Sequence, residues 1–181
     1  MKNIGVKSST FRIAFCGVVS ALALVLMMIT GLFSFGTFAF PCFAGMLLTA
    51  VVIEYGVKWA LAVFVTVAIL ASFLAGDKEA VIYFIMLFGY YPVVKSLFER
   101  KIKNKVVQFV LKFLLFNAAA VSAFFIANFL LAIPAEEFTI FGFYVPWVLL
   151  IIGNFFFIVY DFAVTVMVGR YVYNLRKMIF K

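Results

Sequence analysis

Apolar runs separated by short polar breaks organise the chain. They cover about residues 13–30, 37–53, 59–75, 80–94, 113–133 and 147–169. Each comes near the roughly 20 residues (about 17–25) that a helix needs to cross the hydrocarbon core, the fourth being short. Apolar residues follow one another without the alternation of a barrel strand, so helices are expected. A helix also pairs its backbone groups within its own segment, which lipid demands. The breaks are short except between Lys95 and Lys112. The pattern predicts an all-α fold, with residues 1–181 as a single polytopic membrane domain and a compact bundle of six transmembrane helices. The first run follows Lys2, Lys7 and Arg12, as a signal peptide's would. Its length, about 18 residues, exceeds the roughly 7–15 of a signal core, and no A-x-A site follows, so it reads as a retained helix.

Composition narrows the class. Hydrophobic residues make up 68% and charged residues 12%, with 26 Phe. Mean hydropathy is +1.24. A soluble surface built from this chain would be too apolar, and disorder needs the opposite composition. The absence of His removes His-ligated haem, His-rich zinc sites, Ser-His catalysis and HExxH chemistry. Cys16 and Cys42 lie inside runs without a CxxC partner and read as apolar packing residues. No cofactor and no enzyme activity are expected.

The net charge of +8 is unevenly placed. With the N-terminus in the cytoplasm, Lys78 alone of the 15 Lys and Arg lies outside. That asymmetry predicts both termini inside and an even number of spans in the cell membrane. It also explains the basic stretch FERKIKNK as anchoring beside anionic lipid, so no nucleic-acid partner is expected. The outer connections are acidic instead, with Asp77, Glu79, Glu136 and Glu137. They read either as solvated loop residues or as a mouth that attracts cationic ligands.

Polar residues inside the runs carry the candidate chemistry. Asp161 lies eight residues before Gly169, about 12 Å from the inner helix end. No Lys or Arg falls at matching depth in the other runs, so its expected partner is a hydroxyl, an amide, water, a ligand or its own proton. Trp147, Asn154 and Asp161 repeat every seven residues and share one helix face. Asn117 and Asn128 share a face of the fifth helix, Tyr83 and Tyr90 one of the fourth. By depth, Tyr83, Asn128, Trp147 and Asn154 fall in the outer half, and Asn117, Tyr90 and Asp161 in the inner half. Such residues point into a bundle, either as structural contacts between helices or as the lining of a ligand cavity. The outer group, with Glu136 and Glu137 above it, is the better substrate-binding candidate. The segments GLFSFGTFAFP (31–41) and PAEEFTIFGFYVP (134–146) are long enough to act as lids or to lie at the interface.

The first helix presents small residues. Ala14 lies near Gly17-x-x-x-Ala21, a spacing that admits a second helix closely. The stretch RIAFCGVVSALALVLMMI, with FPCFAGMLL at 40–48 and GYYP at 89–92, resembles the substrate-binding (S) components of energy-coupling factor (ECF) transporters. The size, six-helix layout and inside termini are similar as well. The resemblance implies a non-enzymatic protein that captures a vitamin or cofactor precursor from outside. It implies partners too: a coupling transmembrane subunit, docked through Ala14, Gly17 and Ala21, and two ATPase subunits. It places the ligand between the outer loops and helices four to six, with the first loop as a lid. The chain itself has no GxxxxGK[ST]. Three other readings stay open: a membrane scaffold of the cell-wall or shape machinery, a stand-alone proton-coupled carrier using Asp161, and a membrane enzyme.

Overall fold

The computed structural model describes residues 9–33, 36–131, 139–140, 143–144 and 146–176. Ser9–Ile29 forms α1, Gly36–Tyr55 α2 and Val57–Leu74 α3. The fourth run divides into α4 (Lys78–Tyr83), a π-helical stretch (Phe84–Phe88) and α5 (Tyr91–Lys101). Lys105–Leu131 is α6 and Pro146–Arg170 is α7, which runs on as a π-helical turn over Tyr171–Leu175. A two-residue antiparallel pair, β1 (Thr139–Ile140) with β2 (Phe143–Tyr144), sits in the last connection, Thr139 opposite Tyr144. With α4 and α5 taken as one span, six helices are long and apolar enough to cross a membrane. The chain is an all-α, multi-pass membrane protein.

Two expected boundaries change. The fourth span is not short, because helix continues to Lys101. The fifth begins at Lys105 rather than near residue 113. The long Lys95–Lys112 connection therefore shrinks to residues 102–104. Lys95 and Lys112 looked like loop residues by charge, yet both are buried in helices.

Helices α1, α2 and α3 pack on one another, and α2 also meets α4, α5 and α7. This central place is why α2 buries Pro41, Ala44, Gly45, Leu48, Ala50, Val51 and Val52 rather than one thin stripe. By contrast α6 buries a stripe of Phe116, Ala119, Ala123 and Ala127, and α7 one of Phe157, Tyr160 and Val164. Their other faces carry large apolar side chains outward, Phe129 at 88% exposure among them. An apolar exterior of this kind has lipid, not water, as its solvent.

The break in the fourth span has a chemical cause. Pro92 lacks the N–H that would bond the carbonyl of Phe88, four residues back, and its ring crowds that carbonyl. Ahead of it, Gly89 N–H bonds Phe84 across a wide π turn, at 2.8 Å. The freed Phe88 carbonyl accepts a hydrogen bond from the Tyr160 hydroxyl of α7, at 3.1 Å. The same carbonyl leans on α2, where a Cβ at Gly45 would stand 2.4 Å from the Phe88 oxygen. Only glycine admits that approach. Gly56 plays a different part: with φ of 82° it turns the chain tightly from α2 into α3.

These contacts predict opposite outcomes for one substitution at two glycines. Gly45→Ala drives a methyl into backbone and should cost at least about 2 kcal/mol. Gly17→Ala meets nothing within 4 Å and should leave stability within about 0.5 kcal/mol. Unfolding of both variants in detergent micelles checks the contrast; equal stabilities would refute the tight α2 contact.

Candidate functional site

One end of the bundle carries Arg12, Lys58, Arg100, Lys101 and Arg170 and is called here the basic end; the other is the far end. Near the basic end, α5 places Tyr91, Lys95 and Glu99 at i, i+4 and i+8, hence on one face. That face meets Lys112 of α6 and Asp161 of α7. Lys95 contacts Oδ1 of Asp161 and lies 3.3 Å from Glu99. Lys112 lies 3.0 Å from Glu99 and 3.3 Å from Asp161. Two cations and two carboxylates thus close a ring. The Tyr91 hydroxyl donates to Asp161 Oδ1 at 2.6 Å, and Lys95 also bonds the Asp161 carbonyl at 3.1 Å. Lys95 and Lys112 are only 3% and 5% exposed, whereas Glu99 opens to the surface.

This corrects the expectation that no cation reaches Asp161. Lys95 is six residues before the end of α5 and Lys112 seven after the start of α6. Both therefore lie about 9–10 Å inside their helices, within reach of the depth of Asp161. The sequence did carry a signal: Tyr91, Lys95 and Glu99 keep helical spacing, and Lys112 interrupts the apolar run VLKFLLF.

A second charged contact closes the same end. The buried Glu54 of α2 pairs with Arg176 at 2.9 Å. The Arg12 guanidinium lies over the rings of Tyr55 and Trp59, 5.9 and 5.2 Å from their centroids.

The proposed pocket residues have other occupations. Asn154 and Asn117 bond each other reciprocally, at 2.8 and 3.0 Å, and each bonds a carbonyl four residues back. They therefore share one depth and do not divide between outer and inner halves as expected. The cause is again the early start of α6, which shifts Asn117 toward the middle of its helix. Tyr83 donates to Glu79 at 2.5 Å and stacks on Phe38 with centroids 4.6 Å apart. Trp147 is 71% exposed at the start of α7, and Asn128 is half-buried on α6. Glu136 and Glu137 lie outside the described residues. Ala14, Gly17 and Ala21 all face out of the bundle.

No family model, characterised protein or solved structure matches the chain. Its chemistry therefore has to be read from its own geometry.

Two concavities frame that reading. At the far end, a groove of about 390 Å³ is lined by Thr30, Gly31, Leu32, Phe33, Thr37, Gly76 and Asp77. Within it the Thr37 hydroxyl donates to Asp77 Oδ2 at 2.8 Å, while Asp77 Oδ1 caps α4 through Ala80 N–H. This joins the first turn of α2 to the connection after α3. A second concavity, of about 440 Å³, lies along the outer face of α7. Tyr83, Asn128, Trp147 and Asn154 line neither. Among the described residues, no cluster of Cys, Asp and Glu could hold a metal ion.

The charge ring makes a sharp prediction. Asp161→Asn leaves two buried lysines facing Glu99 alone and should cost about 3–5 kcal/mol. Adding Lys95→Met to Asp161→Asn should recover part of that loss, because one stranded cation is removed. Additive effects in a double-mutant cycle of unfolding would deny the coupling. For the amide pair, Asn117→Leu or Asn154→Leu alone should cost about 0.6–1.7 kcal/mol, and the double variant less than their sum.

Proposed function

We propose that the protein is the membrane-embedded substrate-binding subunit of an ECF-type transporter, with its basic end and both termini in the cytoplasm of a cell whose plasma membrane it spans. The observation that carries this reading is the outward face of α1. Ala14, Gly17 and Ala21 are exposed on one side of the helix between Ile13, Val18, Leu22 and Val25, while Cys16, Val19, Ala23 and Met27 pack into the bundle. Lipid is served as well by large apolar side chains, as on α6 and α7. A stripe of small residues instead lets a second backbone approach, where packing and lipid entropy hold helices together. In this reading the approaching helix belongs to a coupling transmembrane subunit, and two ATPase subunits beneath it supply energy. The far-end groove, with its Asp77 carboxylate and the turn after α1 as one wall, is where a vitamin-like or cofactor-precursor molecule enters. The lining of that groove, Thr30, Thr37 and Asp77 above all, replaces Tyr83, Asn128, Trp147 and Asn154 as the candidate binding set, and Asp161 holds the bundle below rather than touching ligand.

A scaffold of the cell-wall or shape machinery is the second reading. It is favoured by the closure of Asn117 on Asn154 and of Tyr83 on Glu79, which commits those groups to the fold.

Affinity purification from native membranes separates the two. The transporter reading expects a coupling subunit and ATPases with the wild-type chain. Gly17→Leu and Ala21→Leu should lose them at least tenfold while the bundle stays folded. Recovery of cell-wall synthesis or cytoskeletal proteins instead, or retention of the ATPases by both variants, would defeat it.

A further inference from the structure

The outer face of α7 carries a feature that neither reading uses. Val159, Phe162, Ala163, Val166 and Met167 line its concavity of about 440 Å³, and Arg170 closes it at the basic end. The residues recur at i, i+3, i+4, i+7, i+8 and i+11, so the groove is a shallow, open depression between side chains of one helix face. From Val159 to Arg170 it runs about 16 Å, close to half of the roughly 30 Å hydrocarbon core. It therefore has the length of one leaflet's acyl chain.

The polar end sets the occupant. Arg170 is exposed and, among the described residues, pairs with no carboxylate. Arg176 differs, being committed to Glu54. A guanidinium at the end of a groove one leaflet deep stands at the level of lipid phosphates, where it favours anionic head groups. A protein helix is a poorer fit, since the lining is bulky rather than small and Arg170 would need an acid from the partner.

We infer that α7 holds an anionic phospholipid, one acyl chain along Val159–Met167 and its phosphate on Arg170. The lipid is part of the protein's working surface rather than bulk solvent, and it occupies a face separate from the α1 stripe.

The test uses the full chain in phosphatidylcholine vesicles containing a small fraction of phosphatidylglycerol with a photoreactive group in its acyl chain. A phosphatidylcholine probe with the same group is the reference. Labelling of the 159–167 peptide should be about fivefold higher with the anionic probe, equivalent to about 1 kcal/mol. Arg170→Gln should bring it down to the reference level without changing labelling elsewhere. Ala163→Phe, which fills the groove, should reduce labelling there by both probes. Equal labelling by the two probes, or an unchanged ratio in Arg170→Gln, would overturn the inference. Protein–protein cross-links at these residues in place of lipid would overturn it too, and assign the face to a second copy.

Discussion

A charge inside a membrane protein is costly unless a partner answers it, and the second half of this bundle is arranged around that demand. Lys95, Lys112, Asp161 and Glu99 come from three helices and sum to zero. Each lysine lies between two carboxylates, so none of α5, α6 and α7 can rotate far without stranding a cation. Above the ring, the Asn117–Asn154 pair ties α6 to α7 at a second level. Two polar levels on one helix pair fix both rotation and translation. Apolar packing alone does this poorly in lipid, because tails compete with side chains on nearly equal terms.

The interior of the first half is held by close packing, with charge kept to its basic end at Arg12 and Glu54. Helix α2 sits among its neighbours with small residues where they press hardest, Ala44 and Gly45 above all. One carbonyl joins the two halves at their centre. Pro92 releases the Phe88 oxygen, Tyr160 satisfies it from α7, and Gly45 leaves it room from α2. Three helices thus converge on an acceptor that an unbroken span would have kept for itself.

How much of this could be read from the chain depends on the physics involved. The six spans were legible because lipid requires long apolar runs and the chain supplies them. The outward stripe on α1 was legible as spacing, though its exposure needed the packed structure. The ring was not found, because Lys95 and Lys112 were assigned to a loop by their charge. Charge marks a loop only where no partner is available; the i, i+4 spacing of Lys95 and Glu99 hinted at helix, but a partner 66 or 49 residues away is not named by any local pattern. The depth of Asn117 was misplaced by the same error, since it was counted from a helix start eight residues late. The binding set on Tyr83, Asn128, Trp147 and Asn154 came from face periodicity. That shows which residues share a side of one helix, and not which helices close over them.

The order of synthesis gives the ring a further meaning. Both lysines leave the ribosome well before Asp161, and Glu99 is the only acid of the ring already made when Lys112 appears. One carboxylate cannot neutralise two ammonium groups. Without the last span, the ring positions of spans four and five carry one ammonium more than they have carboxylates. The last span brings the missing carboxylate, and with it the contact that joins all three helices. The charge balance of the ring is thus completed only by the final helix, and a chain stopped before Asp161 would hold two lysines against one acid.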